Sequence, residues 1–469
     1  MITATEHPNT WANKLAFAMI AVITVFTTIA YGAVHQPVIA LFYVLVASIL
    51  VLWAVDGYLS GSMRLNRSLL QLPILGAAAY GLIQVIPIGT IGEVGGVSAI
   101  PRTISLDPFA TQVSSLHFLA LFIFFAVLLV LLDSASRLRR LVTFLMIFGF
   151  AYAFFAIIQS VLSPQKIYGI YERWNASPFG SFVNRHNFAA YMEMTLSLPL
   201  GLMFVGAVPK DKRLLFITAI ALMGIALLLS GSRGGLVAFL GQVIVLVLLT
   251  TRGKSRSTLA LRVGLSVLLV GAIVGGAVFV GGDTSLTRLA DTASANDLST
   301  GRSNIWRQTV DVISANLPFG AGLGAFGVAY TPHDALSGLE RVEQAHNDYL
   351  QVLSDAGIPG LLLGLFFLFV FFKLGLASRK IENQYRRGIV MGAFAGCVAI
   401  LIHSAFDFVL HTTAISVLFL VLLGIMVAGS SSYADDRTDH PPGRHKRRSS
   451  GRVESINSAR KRSRMREPA

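Results

Sequence analysis

Long apolar stretches separated by short polar ones recur along almost the whole chain. About 20 predominantly apolar residues form an α-helix long enough to cross a hydrocarbon core about 30 Å thick. The first stretch has only Lys14 in its flank and no small-residue cleavage site after it, so we interpret it as a span and not as a signal peptide. The pattern predicts an all-α integral membrane protein with about twelve transmembrane helices, near residues 15–31, 38–55, 69–88, 114–132, 141–162, 188–208, 214–230, 235–250, 260–280, 358–376, 388–407 and 412–429.

The charged residues between these stretches predict the orientation of the protein. Because cytoplasmic loops carry an excess of Lys and Arg, the basic loops and both termini are expected on the cytoplasmic side. The loops near 89–113, 163–187 and 281–357 are then periplasmic. The basic residues lie in alternate loops, at Arg64 and Arg67, Arg137 to Arg140, Lys210 to Arg213, Arg252 to Arg262, and Lys373 to Arg387.

The loop 281–357 is much longer than an ordinary connection. Apolar residues recur in it at helical spacing, which predicts that the loop is itself helical. A second helix is expected from about Ala345 to Ala356, and Gly357 is expected to end it. The stripe of the first helix consists of Ile305, Trp306, Thr309, Val310 and Ile313.

Composition excludes several classes of protein. Charged residues make up 13% of the chain, about half the share usual in soluble domains, so a soluble enzyme is excluded. A single cysteine, Cys397, excludes an intramolecular disulfide and a cysteine-based metal site. The net charge of +14 is concentrated in the basic loops and in residues 430–469. That segment is predicted to be a disordered cytoplasmic tail that binds anionic lipids, and not nucleic acid, because no aromatic residue accompanies its basic clusters.

Three of the arginines on the predicted outer side stand out, because the positive-inside tendency disfavours arginine there. Arg233 lies in a glycine-flanked turn between two spans, Arg302 opens the first loop helix against its dipole, and Arg185 begins the sixth span. Each has an ordinary alternative, namely snorkelling for Arg233, a surface position for Arg302 and a polar flank for Arg185. Guanidinium groups in such places are suited to bind anions. We therefore take all three as candidate substrate-binding residues.

His346 is the candidate for proton transfer. An imidazole is suited to take a proton from a hydroxyl near neutral pH, although a histidine at a helix start is more often structural. His403 and Asp407 lie one helical turn apart at the outer end of a span, and we expect them to form a structural hydrogen bond.

The outer loops contain no convincing cofactor motif. Gly322 to Gly327 fit G-x-G-x-x-G, but no strand precedes them, so a tightly packed glycine-rich turn is favoured over a nucleotide site. The outer loops hold no Asp-x-Asp and no histidine pair with metal spacing. No metal and no other cofactor are predicted.

The motifs between Gly301 and Gly360 together resemble the O-antigen ligase and polymerase superfamily. His346-Asn347, nine residues, Gly357, two residues and Gly360 are similar to the H-[NSQ]-x9-G-x-x-G pattern of the ligases, and Ser232-Arg233-Gly234-Gly235 looks like the family's arginine–glycine turn. The resemblance covers roughly residues 180–425. We accordingly divide the chain into N-terminal helices (1–180), a ligase-like catalytic region (181–429) and the tail (430–469).

The resemblance implies a GT-C-like glycosyltransferase of the bacterial inner membrane with a periplasmic active site. Such an enzyme moves a polyprenyl-pyrophosphate-linked glycan onto a sugar hydroxyl in a single inverting step without a metal. By this resemblance His346 is the general base, and Arg233 and Arg302 bind the pyrophosphate, whereas Arg185 is a candidate substrate-binding residue from its position alone. The acceptor is lipid A–core for a ligase and the next lipid-linked repeat unit for a polymerase.

Two alternatives stay open. A polymerase needs a second cationic patch, which Lys166, Arg173 and Arg185 could form, whereas the histidine–glycine spacing favours a ligase. A transporter or lipid flippase also has many spans, but such folds usually show internal repeats and broken helices near the midplane. We recognise no internal repeat in the sequence.

Overall fold

A computed structural model describes residues 10–93, 95–172, 177–251, 255–294, 302–334 and 341–431. Apart from one short hairpin of β1 (Thr90–Ile91) and β2 (Ile100–Pro101), its regular structure is helical. The predicted tail beyond Ser431 lies outside the described residues, as do Gly301 and Arg173. The α-helices of the described ranges are α1 (Trp11–Ile29), α2 (Gln36–Ser60), α3 (Gln71–Gln84), α4 (Pro108–Leu131), α5 (Ala135–Leu162), α6 (Arg185–Val205), α7 (Arg213–Leu229), α8 (Arg233–Thr251), α9 (Arg256–Ser294), α10 (Ser303–Asn316), α11 (Phe326–Tyr330), α12 (Asp348–Ala377), α13 (Gln384–His403) and α14 (Thr413–Ser430).

The prediction of an all-α membrane protein is confirmed, with a difference at the third span. Eleven helices of the described ranges are long and apolar enough to cross a membrane. α3 is not among them, because its 14 residues extend only about 21 Å at 1.5 Å per residue. It is shorter than the predicted span 69–88 because it ends before Pro87, and the residue preceding a proline disfavours helical geometry.

The chain nevertheless crosses the bundle at α3. Before α3, Arg64 pairs with Asp133 in the α4–α5 connection at 2.9 Å. At the other end of α3, Gln84 donates to the backbone carbonyl of Asp355 in α12 at 2.9 Å. α3 therefore extends from the α4–α5 connection to α12. The total of twelve membrane crossings stays a prediction.

Contacts between helix ends define two ends of the bundle. At one, Arg386 at the start of α13 donates to the Gly429 carbonyl at the end of α14 at 3.0 Å, and Asn13 in α1 donates to Asp56 in α2 at 2.6 Å. We call this the basic end. At the other, which we call the site end, α6, α8, α12 and α14 begin and α13 ends. There the backbone N–H of Asp348 donates to the Ser404 carbonyl at 2.9 Å.

The helices of the predicted outer loop differ in detail from the sequence prediction. α9 continues past residue 280 to Ser294. α12 begins at Asp348 and not near Ala345, because the Asn347 side chain caps it by accepting from the N–H groups of Tyr349 and Leu350 at 3.0 and 3.1 Å. On α10, Val310 is 54% exposed. Val312, and not Val310, packs into a small apolar cluster, because residues 305, 309 and 312 share the packed face of the helix.

The glycine-rich segment packs against a break in α12. Gly357 interrupts α12 with φ of +56°, as the sequence predicts, and a Cβ there would collide with the Pro318 carbonyl oxygen. That carbonyl instead accepts from the Ile358 N–H at 2.9 Å. The Asp355 carboxylate accepts from the Gly324 N–H at 3.0 Å. The segment is thus a tightly packed turn, and it holds the start of α12, and with it His346, in place.

The predicted division into residues 1–180 and 181–429 stays a prediction. All described residues belong to one compact unit. Its centre is the pair α6 and α13, which approach closely where Gly201 lies against Gly388 and Gly392. This close pair places the start of α6 beside the end of α13 at the site end.

Candidate functional site

His346 lies immediately before α12 and contacts the connection between α13 and α14. Its Nδ1 is 3.2 Å from Oδ1 of Asp407, and its ring packs edge-on against Phe408 with 4.8 Å between the centroids. The backbone of His346 has φ of +51°, which is uncommon for a residue other than glycine, and Trp306 donates to its carbonyl at 3.4 Å. Strained residues of this kind concentrate at functional sites. The side chain is 29% exposed and therefore accessible from outside.

Arg302 approaches the same carboxylate from the start of α10. Its guanidinium lies 3.2 Å from Oδ2 of Asp407 and also donates to the Phe406 carbonyl. Asp407 is almost fully buried, with its side chain 2% exposed, whereas that of Arg302 is 17% exposed. Asp407 therefore joins the predicted base to one of the predicted arginines.

The environment of Asp407 favours its charged form. Burial alone would raise the pKa of the carboxyl group, but the hydrogen bond from His346 and the nearby charge of Arg302 outweigh it and hold the pKa well below its usual range. A carboxylate can only accept hydrogen bonds. The Nδ1 of His346 must then carry the proton of their hydrogen bond, which leaves Nε2 as the basic nitrogen.

The turn that carries Arg233 contains a second polar cluster. The hydroxyl of Ser232 is 2.8 Å from Nδ1 of His186 and 3.5 Å from Nε2 of His403, and it accepts from the Gly235 N–H at 3.1 Å. His403 in turn lies with Nδ1 2.9 Å from a carboxylate oxygen of Glu193, and both side chains are fully buried. These contacts tie the start of α8 to α6 and α13.

Gly234 allows this close arrangement. A Cβ at Gly234 would lie 2.9 Å from the imidazole of His403. The ring of His403 is already held by Glu193 and has little room to move. Arg233, which lies between Ser232 and Gly234, is therefore positioned by buried contacts on both sides.

The four predicted site residues occur at one end of the bundle, in two linked groups. His346 and Arg302 share Asp407. Arg233 and Arg185 are sequence neighbours of Ser232 and His186, which contact each other. The groups are linked through α13, because the backbone N–H of Asp407 donates to the His403 carbonyl at 3.1 Å.

The sequence prediction for His403 and Asp407 needs a correction. Their side chains form no hydrogen bond with each other in the described structure, because each turns to a different partner. The sequence does not reveal the partners, which are the buried Glu193 and Ser232 and the half-buried His186. An intramembrane carboxylate is a functional candidate by default, so Glu193 within the sixth span was the available signal.

Within the described ranges, no three His, Cys, Asp or Glu side chains are grouped as they would be around a metal ion. The expectation of metal-independent chemistry stays a prediction.

The protein has helices of membrane length, and its ionisable side chains form two linked groups at the site end of the bundle. It is therefore a multi-pass membrane protein with a candidate active site at one end. Residues 218–365 match the family model described as O-Antigen ligase. The chain thus carries a domain of the O-antigen ligase superfamily, and the resemblance drawn from the sequence is confirmed. The matched segment contains Arg233, Arg302 and His346, whereas Arg185, His403 and Asp407 lie outside it. A comparison with curated proteins finds no match.

Proposed function

We propose that this protein is a glycosyltransferase of the bacterial inner membrane that moves a polyprenyl-pyrophosphate-linked glycan onto an acceptor sugar hydroxyl. The O-Antigen ligase match supports the superfamily. The observation that carries the proposal is the hydrogen bond between His346 and Asp407, since it pairs a partly exposed imidazole with a buried carboxylate. The site end would face the periplasm and the basic end the cytoplasm, as the distribution of Lys and Arg predicts.

The proposed reaction is one displacement at the anomeric carbon of the donor. Nε2 of His346 removes the proton of the acceptor hydroxyl, and that oxygen forms a bond to the anomeric carbon. The bond from this carbon to the pyrophosphate oxygen breaks, and the carrier-lipid pyrophosphate leaves with the electron pair. Asp407 stabilises the imidazolium that results. The attack from the face opposite the leaving group inverts the anomeric configuration.

The arginines are proposed to act on the leaving group in different ways. Arg233 lies at the start of α8, where the helix dipole also favours an anion. It is the proposed pyrophosphate ligand. The guanidinium of Arg302 already donates hydrogen bonds to Asp407 and to the Phe406 carbonyl. We therefore propose that Arg302 mainly positions Asp407 and contributes to the pyrophosphate site with its remaining N–H donors.

A polymerase is the second candidate. Lys166 and Arg185 line one cavity, which supports the second cationic patch that a polymerase would need. The ligase is favoured by the histidine–glycine spacing and takes lipid A–core as its acceptor. We also propose that the basic tail (430–469) binds anionic lipids of the membrane.

Reconstitution tests the function directly. The purified protein in proteoliposomes, supplied with lipid-linked glycan and lipid A–core but no ion gradient, should form glycosylated lipid A–core. Longer lipid-linked glycan made from lipid-linked units alone would identify the polymerase. Movement of lipid-linked glycan across the bilayer without formation of any new glycosidic bond would contradict both and favour a flippase.

A further inference from the structure

A cavity of about 370 Å³ opens beside Arg185, between the end of α5, residues 163–166 and 177–180, and the end of α7. Pockets of roughly 300–1,000 Å³ are typical of small-molecule sites. Eight of the fifteen residues that line it have polar side chains. The polar side chains that line it are Gln159, Ser160, Ser163, Gln165, Lys166, Ser177, Arg185 and Ser230.

The wall of this cavity is built by buried hydrogen bonds. The Gln159 side chain donates to the Gly180 carbonyl at 2.6 Å and accepts from the Tyr168 N–H at 2.8 Å, so it holds both residues to the end of α5. The backbone N–H of Arg185 donates to the Ser177 carbonyl at 2.8 Å. These bonds fix the shape of the cavity before any ligand arrives.

The cavity adjoins the candidate active site. Ser230 lines it, and the Ser230 hydroxyl accepts from the Ser232 N–H at 3.3 Å. Ser232 precedes Arg233, the proposed pyrophosphate ligand. A group bound in the cavity would therefore lie next to the donor site without occupying it.

The charges of the lining point to an acidic ligand. Lys166 and Arg185 supply two cations to the lining. Lys166 is paired at 3.3 Å with Glu172, but the two side chains are 47% and 64% exposed. Exposed pairs of this kind contribute little, so an incoming anion can replace the carboxylate. Hydroxyl and amide groups around the cations are suited to the hydroxyls of a sugar.

We propose that this cavity binds a phosphate-bearing saccharide of the acceptor substrate and so orients the acceptor toward His346. The assignment of the ligand to the acceptor substrate rests on the proposed function, whereas the phosphate-bearing saccharide chemistry of the ligand does not. The phosphate has two possible sources, a phosphorylated glycan or the pyrophosphate of a second lipid-linked unit. Recognition by Lys166 and Arg185 is common to both.

A binding experiment tests the chemistry without any transfer reaction. Mannose 6-phosphate and mannose are titrated into the full-length protein in nanodiscs by calorimetry. The phosphorylated sugar should bind at least about tenfold more tightly than mannose. Lys166→Glu should abolish this preference, Lys166→Arg should keep it, and Glu172→Gln should strengthen it by removing the competing carboxylate.

Arg307→Glu provides the matched control, because Arg307 is exposed on α10 and does not line the cavity. It should leave the preference unchanged. Equal binding of the two sugars, or equal losses in Lys166→Glu and Arg307→Glu, would overturn the proposal.

A kinetic experiment identifies the source of the phosphate. Lys166→Glu should raise the KM for the acceptor about tenfold or more and leave the KM for the donor unchanged. The effect is measured with a phosphorylated and a dephosphorylated glycan acceptor, and with a lipid-linked unit as acceptor. The acceptor whose KM rises carries the recognised phosphate. A rise in the KM for the donor alone, or no rise in any KM, would overturn the proposal. A wild-type protein without transfer activity would refute the proposed function but would not affect the result of the binding experiment.

Discussion

The hydrogen bond from His346 to Asp407 decides which nitrogen of the imidazole can act as a base. Asp407 stays ionised because His346 and Arg302 hold its pKa below the usual range. Its hydrogen bond therefore holds the proton on Nδ1, and we propose that the lone pair of Nε2 takes the proton of the acceptor hydroxyl. The lowered pKa also means that this carboxylate stabilises the fold above the unfolded pKa of about 3.9 and loses that effect only as the pH falls through its folded value.

Asp407→Asn should separate the chemical role of this carboxylate from its packing role. The amide keeps the shape but removes the charge and offers a donor where His346 needs an acceptor. We expect the transfer rate at saturating substrates to fall about 100-fold or more, in line with general-base catalysis. Initial-rate assays in proteoliposomes measure this.

Asp311→Asn is the control for that substitution, because Asp311 is exposed on α10 and outside the cluster. It should keep the wild-type rate. A normal rate in the correctly folded Asp407→Asn protein would show that Asp407 does not set the state of His346.

His346, Arg233 and Arg302 could be predicted because the family motif fixes their local spacing. Asp407 was assigned a partner in its own helix, since helical spacing was the only geometry that the sequence offered. Its actual partners, His346 and Arg302, are 61 and 105 residues away. Contacts over such distances depend on how the helices pack, and a single sequence does not contain that information in readable form.

At the scale of elements, the turn between α7 and α8 depends on the absence of a side chain at Gly234. In Gly234→Ala the new methyl group meets the imidazole of His403, which Glu193 holds in place. Overpacking of this kind costs about 1–3 kcal/mol. We expect a lower melting temperature and a higher KM for the donor, because Arg233 is displaced.

Gly364→Ala on α12 is the matched comparison. Nothing lies within 4 Å of a Cβ at Gly364, so alanine should keep or raise stability, since glycine within a helix is less favourable than alanine by about 0.5–1 kcal/mol. Thermal unfolding followed by intrinsic fluorescence compares the two variants. Equal melting temperatures for both would contradict the tight contact at Gly234.

The start of α14 is held to α12 by a pair that responds to pH. Nδ1 of His411 is 2.9 Å from the Asp348 carboxylate. Partial burial disfavours the charged imidazole, but the hydrogen bond and the charge of Asp348 outweigh this and raise the pKa of His411. A raised pKa stabilises the fold fully below the unfolded pKa of about 6.5, and the effect disappears as the pH rises through the folded value.

His411→Asn should therefore lower the melting temperature more at pH 5.5 than at pH 9. Asparagine retains a hydrogen-bond donor to Asp348 but carries no charge at either pH. The melting temperatures of wild type and variant are compared across this range. A difference that does not change with pH would show that the charge of His411 contributes nothing.

Helix positions were predicted well where apolar runs are long, and less well at their ends. α3 ends early because of Pro87, and α12 begins late because Asn347 caps it. Both signals are visible in the sequence, but at α3 the apolar residues continue past Pro87. The extension of α9 to Ser294 has no such local signal.

At the scale of the whole molecule, the account requires the two ends of the bundle to face opposite sides of the membrane. Asp311 is exposed at the site end, and Asp211 is exposed in the basic α6–α7 connection. In a protein with Cys397 replaced by serine, Asp311→Cys should react with an impermeant thiol reagent on spheroplasts, and Asp211→Cys only after lysis. Labelling of both cysteines on intact spheroplasts, or of Asp211→Cys alone, would contradict the placement of the two ends on opposite sides of the membrane.

The membrane class could be predicted because the hydropathy of the sequence records it directly. The site could be predicted only as isolated residues in separate segments. Its assembly depends on the close approach of α6 and α13, which brings Glu193, 210 residues away in sequence, to His403. That approach is visible only in the folded molecule.

The most direct test of the central claim is the rate of a single transfer step at saturating donor, in wild type and in His346→Ala. The account predicts a fall of roughly 100- to 10,000-fold with donor binding unchanged. His333→Ala, a histidine of the same outer segment outside the described cluster, should keep the wild-type rate. A folded His346→Ala protein that transfers glycan at the wild-type rate would contradict the assignment of His346 as the general base.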